Sequence, residues 1–567
     1  MPAGPPSPRL EARLCRTLAG LLILAWGAVH VLYLLRGCGL DLSPDEAHYW
    51  LWSRNLDWSY YSKGPGVAYL IRLGTELAGG LSLQWTGNLV MAVRLPAVVC
   101  GCLLLVSLYV LTIQVYRRER LALGVVALAL TLPIVSVGST LITIDSPYTC
   151  CWGCALVAGY HAAVRRVAWA WPVAGLLVGL GILAKYTMVV WLPSLGLFLL
   201  FDRERRQLLL QTGFWVMIAV AGFCCLPILI WNAQHDWVTF RHVFVQAGSE
   251  AKGITWMGPL RFLGAQLGIL IFYWFVVWTW AMYARRPWKN TARTTEHGEV
   301  ARDASGGLGN PPYGEESQAG IQYLWWMSAP MFLMFFVFSL RTNGGEPNWA
   351  VTAYISGLVL SAGWLVEQMG ASNIGWRRFS YAGVGLACLA GVALTLLVHF
   401  STAAQPVLAW VSGPPTEQHP LPLRRFDPTC RLRGWHYLAE QVDCIREMLA
   451  QEGIEPIISA NSWMVPGELA FYCQGQPATF SIGLGLGDRW SQFDLWHPNP
   501  VLDPEDFEGR TFIFIGGVCP KLRDAFAGQD FTVYPIVYEE RGQPIARWTI
   551  VVCRGFKSLT PQSRAAR

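Results

Sequence analysis

Apolar runs long enough to cross a hydrocarbon core of about 30 Å recur along most of the 567 residues. They lie near 17–35, 90–115, 121–142, 147–164, 169–184, 187–201, 208–230, 259–284, 321–340, 349–368 and 379–400. Lipid offers no partner to a backbone amide, so such runs can only be helices. Only 14% of the residues are charged, against about 25% in ordinary soluble domains. A soluble globule could not hide that much apolar surface. The expectation is a polytopic α-helical membrane protein with about eleven crossings, the fifth and sixth of them short. Arg9, Arg13 and Arg16 precede the first run, which is read as a retained span.

Alternating the crossings puts the basic clusters on one side. These are Arg117, Arg118 and Arg120; Arg165 and Arg166; Arg203, Arg205 and Arg206; Arg285, Arg286 and Lys289; and Arg377 and Arg378. The positive-inside rule makes that side cytoplasmic. The N-terminus is then cytoplasmic, and everything after about residue 401 is extracytoplasmic. The expected location is the cytoplasmic (inner) membrane. Basic residues in short clusters between apolar runs argue against a nucleic-acid partner. Membrane lipid is the expected surrounding.

Two domains are expected. Residues 1–400 form the transmembrane part, with a polar, Gly-, Thr- and Glu-rich stretch at 285–320 read as a flexible cytoplasmic loop. Residues 401–567 change in kind. Alternating and β-branched runs appear at 454–459, 478–482, 510–515, 531–538 and 547–553, with helix-like stretches at 435–451 and 466–472. That pattern predicts a small soluble α/β domain. Its five cysteines, Cys430, Cys444, Cys473, Cys519 and Cys553, leave room for one or two disulfides, and no pairing is assigned. Cys151 and Cys154 form a CxxC inside an apolar run with no second ligand pair nearby, so they are read as small hydrophobes.

The same map gathers polar residues on the outer face. The segment 36–89 is the longest between spans and carries Asp41, Asp45, Glu46, His48, Asp57, Lys63 and several Trp and Tyr. Short turns add Thr143 and Asp145, then Lys185 and Tyr186, then Arg341, Glu346 and Asn348. Ionisable groups beside a bilayer are costly, so they become functional candidates. Each has a plainer reading. Asp45 and Glu46 suit the first turn of a helix capped by Ser43 or by Asp45 itself. Lys63, Lys185, Arg241 and Arg341 can snorkel to head groups. Most of the 28 Trp belong to interfacial belts.

The order of motifs resembles the dolichyl-phosphate-mannose–protein mannosyltransferase superfamily, whose bacterial branch includes the aminoarabinose transferase of lipid A (glycosyltransferase family 39). The carriers are Pro44-Asp45-Glu46-Ala47-His48-Tyr49-Trp50 with Leu56-Asp57-Trp58-Ser59-Tyr60-Tyr61-Ser62-Lys63-Gly64-Pro65, then Leu141-Ile142-Thr143-Ile144-Asp145. Gly179-Leu180-Gly181-Ile182-Leu183-Ala184-Lys185-Tyr186-Thr187 and Glu346-Pro347-Asn348-Trp349 follow. In the tail, the segment 489–496 is similar to part of the bacterial members' C-terminal domain. His48 and Gly64 depart from the pattern of many relatives, which carry an aromatic and a proline there.

The resemblance implies the GT-C glycosyltransferase fold and an inverting glycosyltransferase moving a hexose or pentose. The sugar passes from a polyprenyl-phosphate carrier to a hydroxyl acceptor on a lipid, glycan or protein. Transfer needs one carboxylate to take the hydroxyl proton, and cations to meet the charge growing on the leaving phosphate. Asp45 matches the acid thought to act as base, and Glu46 matches its companion. Lys63 faces the carrier phosphate, and Lys185 and Arg341 are assigned to it. Asp145, Tyr61 and Asn348 are assigned to substrate. No cofactor or metal is assigned. A glycolipid transporter or flippase, a diphosphate-donor oligosaccharide ligase and a non-catalytic glycolipid-binding paralogue are the competing readings. A transporter would be expected to show internal repeats, and none is evident.

Overall fold

The computed structural model describes residues 8–36, 38–246, 248, 253–289, 314–370, 373–528 and 530–560. The core of the loop expected at 285–320 lies outside the described residues. The chain forms two compact units, Met1–Val31 with Ala97–Thr395, and Leu32–Pro96 with Leu396–Arg567.

The first unit is helical. Five helices are long and apolar enough to span a bilayer: Arg9–Arg36, Val90–Tyr116, Thr212–Gln234, Glu315–Thr342 and Ile374–His399. The first, second and fifth run across the division between the units. A pair, Met257–Ile269 and Tyr273–Ala284, is bent by 111° where Ile271 and Phe272 both take left-handed backbone angles. The other apolar stretches make shorter helices. The run expected at 121–142 breaks at Thr131–Leu132, because Pro133 begins a new helix, and so divides into Glu119–Leu130 and Pro133–Gly138. The segment 169–201 divides at Lys185, whose extended backbone ends Ala170–Ala184. By length and composition, span-length helices therefore number five, or six with the bent pair, among the described residues. The expected eleven crossings are not matched one for one.

Large rings fill this unit's core. Trp152, Trp191, Tyr160, Phe198 and Tyr323 are fully buried. Helix Ala170–Ala184 approaches Thr212–Gln234 so closely at Gly175 that an added Cβ would lie 2.3 Å from the Met217 carbonyl. The outward faces stay apolar: Leu24, Phe223 and Leu389 are each about 70% exposed, the pattern of helices whose solvent is lipid.

The second unit is α/β. Five strands, β1 (Ile457–Ala460), β2 (Thr479–Ser481), β3 (Phe512–Ile515), β4 (Thr532–Glu540) and β5 (Gln543–Cys553), form one sheet in the order β2-β1-β3-β5-β4. The first three are parallel, and β5 runs antiparallel to β3. Both faces of the parallel part are covered, so β3 reads Phe-Ile-Phe-Ile and every residue of it is buried. Leu438, Val442 and Ile445 of helix Trp435–Gln451 pack with Ile513 and Ile515, while Phe512 and Phe514 share a second cluster with Phe526 and Phe556. β4 and β5 join through Arg541 and Gly542, both at positive φ, the signature of a two-residue hairpin turn. All five expected strands and both tail helices are present. The tail cysteines are all free thiols.

The segment 36–89 is not a plain loop. It holds two helices, Pro44–Arg54 and Gly66–Thr86.

Candidate active site

Helix Pro44–Arg54 begins with a capping box. The Ser43 hydroxyl accepts from the Glu46 amide at 3.2 Å, and the Glu46 carboxylate accepts from the Ser43 amide at 2.9 Å. Ser43, not Asp45, is thus the cap, which leaves the Asp45 side chain available for other partners. Glu46 points inward. It is fully buried and takes two hydrogen bonds from Arg94, at 2.9 Å and 2.8 Å. Arg94 is equally closed to solvent and also donates to the carbonyls of Leu40 and Asp41. One residue away, Asp45 meets solvent.

The protein crowded around the Asp45 carboxyl raises its pKa, and neighbouring Glu46 adds to that. Lys63, Arg489 and a hydrogen bond from Tyr49 oppose the rise. Carboxylate, ammonium and guanidinium therefore share one electrostatic site. Lys63 is held by its turn: the Tyr60 amide donates to the Lys63 carbonyl at 3.1 Å. The Tyr60 ring stacks on Trp52, with centroids 4.2 Å apart, and its hydroxyl donates to the Trp52 carbonyl. Two buried aromatics thus fix the Lys63 turn to the helix that carries Asp45.

The tail contributes the third group. The Tyr61 amide donates to Gln492 at 2.7 Å. The Arg489 guanidinium lies 5.8 Å from the Trp463 ring centroid, a cation–π distance. The Tyr61 phenol is raised by burial and lowered by Arg489. Asp494 accepts from the Ser491 amide and hydroxyl, and burial pushes its pKa up to about 6. His48 is buried, and burial together with Arg489 drives its pKa down to about 3. It is neutral at physiological pH, with Nε2 accepting from the Trp52 indole at 3.1 Å. It cannot supply a third cation.

A second cluster lies in the helical unit. Asp145 occupies the first turn of helix Asp145–Ala163, where the dipole favours a carboxylate. It accepts from Lys185 Nζ at 2.7 Å and from Asn348 Nδ2 at 2.6 Å. Asp145 and Asn348 line an otherwise largely apolar cavity of about 250 Å³, with Thr143, Ser146 and Tyr354. Arg341 is exposed in the last turn of helix Glu315–Thr342.

The candidates thus separate into two groups: Asp45, Glu46, Tyr61 and Lys63 in the α/β unit, and Asp145, Lys185 and Asn348 in the helical unit. Arg489 is not among the site residues the sequence singles out, although it opens the motif 489–496. Nor is Glu468. Both of its oxygens are buried without a hydrogen-bond partner, and burial near Asp41 and Glu46 holds its pKa well above the carboxylate range. Among the described residues, no group of three His, Cys, Asp or Glu side chains is placed to hold a metal ion.

Residues 62–231 match the family model described as dolichyl-phosphate-mannose-protein mannosyltransferase. The chain is 29% identical over 381 residues to the lipid A galacturonosyltransferase RgtD of Rhizobium johnstonii, covering 67% of this chain and 72% of that protein. The crystal structure of ArnT from Cupriavidus metallidurans bound to undecaprenyl phosphate matches with a TM-score of 0.58 at 16% identity, over 94% of this chain and 97% of that one. The apo state of the same protein gives 0.54 over the same shares. Spanning helices and an α/β sheet unit give the multi-pass GT-C membrane fold, and the chain is similar to membrane glycosyltransferases. The chain is thus similar to the dolichyl-phosphate-mannose-protein mannosyltransferase family over residues 62–231.

Proposed function

We propose that this glycosyltransferase moves a sugar from a polyprenyl-phosphate carrier to a hydroxyl of an envelope glycolipid, on the extracytoplasmic face of the inner membrane, with inversion. The observation that carries the reading is Asp45, a solvent-facing carboxylate within the fields of Lys63 and Arg489. The acceptor oxygen attacks the anomeric carbon while Asp45 takes its proton. The bond from that carbon to the phosphate oxygen breaks, and its electron pair leaves with the polyprenyl phosphate. The phosphate gains one negative charge in the step, and the two cations meet it. Glu46 acts as a positioning residue, because Arg94 occupies both of its oxygens. Asp145 and Asn348, with Lys185 bonded to Asp145, form a polar part of that cavity's wall and orient substrate there.

The likeness to a lipid A galacturonosyltransferase makes a hexuronic acid the first sugar to try, and lipid A the first acceptor. The ArnT structure holds undecaprenyl phosphate, which makes that lipid the first carrier. The test is release of polyprenyl phosphate from a labelled lipid-linked sugar by purified protein, with and without the acceptor. Asp45→Asn is expected to reduce transfer by about 10²- to 10⁴-fold with an unchanged melting temperature. Transfer at the wild-type rate by that variant refutes the assignment.

A further inference from the structure

The helical unit carries a second cavity, of about 870 Å³, which the transfer reaction does not use. Arg117, Arg118 and Arg120 border it together with Glu11 and Glu119. The remaining wall is apolar: Leu121, Val125 and Leu128 on one helix, Leu365 and Val366 on helix Ala353–Met369, and Val384 on helix Ile374–His399. Polar groups at one end and a hydrocarbon wall along the rest is the shape of an amphiphile.

The charge is positive. Glu119 is bound by Arg16 at 2.7 Å and by the Tyr109 hydroxyl. Glu11 pairs with Arg120. Glu316 takes both Arg117 and Arg165. Five arginines therefore face three glutamates, each already engaged, and Arg118 stands exposed at the rim. The backbone gives a second sign. Arg117 follows helix Val90–Tyr116 at φ 53°, the left-handed position that favours glycine. A bulky cation held there is kept at a conformational cost, as at sites that need the side chain.

We propose that this cavity binds an anionic phospholipid, with its phosphodiester at Arg118 and an acyl chain along Leu128 and Val384. Basic pockets between spanning helices are suited to such head groups. The site is independent of the transfer chemistry, since none of its residues belongs to the Asp45 or Asp145 clusters.

The experiment uses the full chain in neutral detergent. Phosphatidylglycerol and phosphatidylcholine of the same acyl chains are added separately, with inorganic phosphate as a third probe. Lipid retention by native mass spectrometry and melting temperature are read. Phosphatidylglycerol is expected to be retained and to raise the melting temperature, and the other two are not. Arg118→Gln should weaken phosphatidylglycerol retention about fivefold, the effect of one charge near a phosphate. Gly124 lines the cavity with nothing within 4 Å of an added Cβ, so the side chain of Gly124→Leu starts in open space and takes up the apolar part, and an unchanged melting temperature without lipid checks its fold. It should weaken retention as well. Equal retention of both lipids, an equal shift with inorganic phosphate, or full retention by either variant overturns the proposal.

Discussion

Arg94 and Glu46 form a two-pronged ion pair with both side chains closed to solvent, Nε to Oε1 at 2.9 Å and a terminal nitrogen to Oε2 at 2.8 Å. A charge removed from water is tolerated only when its hydrogen bonds are met. Arg94 meets this condition by bonding Glu46 and the carbonyls of Leu40 and Asp41 together. The pair thus fastens the strand of chain that enters helix Pro44–Arg54 and sets the direction of Asp45.

Breaking this pair from one side should be worse than breaking it from both. Arg94→Met leaves the Glu46 carboxylate buried beside Glu468, a loss of about 3–5 kcal/mol. Combining it with Glu46→Leu removes the stranded charge, so the double variant should melt above Arg94→Met alone. Thermal unfolding in detergent checks the order. If the double variant is the least stable and its losses simply add, the two groups are not coupled.

Much of this was legible from residue order. Hydropathy marks membrane spans because lipid forbids unpaired backbone, and the tail strands announce themselves by β-branched runs between turns. The break at Ile271–Phe272 was hidden, since apolar composition continues through it and only backbone angles differ, whereas the break at Thr131–Leu132 carried its signal in Pro133, the first residue of the next helix. Asp45 and Glu46 stand side by side in sequence yet take opposite fates, because successive residues on a helix point about 100° apart. Nothing local tells which faces Arg94. Arg489 escaped because it lies 444 residues from Asp45, and its signal was confined to the motif 489–496. The raised pKa of Glu468 depends entirely on burial, which no short window reports.

Asp145 is held by two donors of different strength. The Lys185 ammonium at 2.7 Å supplies a full charge, and the Asn348 amide at 2.6 Å a dipole. Lys185→Met should therefore cost more in stability and in transfer than Asn348→Ala. A double-mutant cycle between Asp145→Asn and Lys185→Met should give a coupling of about 0.5–3 kcal/mol in unfolding. Zero coupling would show that the pair contributes nothing to the fold.

Asp41 and His436 give the α/β unit a pH-dependent tie. Asp41 accepts from the His436 ring at 2.8 Å and from the Trp435 amide at 2.8 Å. That hydrogen bond raises the histidine pKa, with smaller pushes from the Asp41, Glu440 and Glu540 charges and against the pull of desolvation. A raised histidine stabilises the fold fully below its unfolded value of about 6.5 and less as pH climbs through the folded value. Melting temperature should fall across that window. His436→Gln should flatten the fall, and a wild-type slope in that variant would assign the titration elsewhere. The ring is half exposed, so the effect is small.

The two cations beside Asp45 can be told apart from scaffolding by the acid side of the pH–rate profile. The base works only when ionised, so kcat/KM should fall as pH drops through its raised pKa. Lys63 and Arg489 both favour the ionised form. Removing either charge, by Lys63→Met or Arg489→Gln, must push that pKa further up and move the acid limb to higher pH. Arg489→Lys keeps a charge and should leave the limb close to its place. The same variants lose stabilisation of the leaving phosphate, so the plateau of kcat should drop as well. A merely structural arginine would instead lower the melting temperature and leave the position of the limb where it was. An unmoved limb in both charge-removing variants would separate Lys63 and Arg489 from the base and leave Asp45 without its partners.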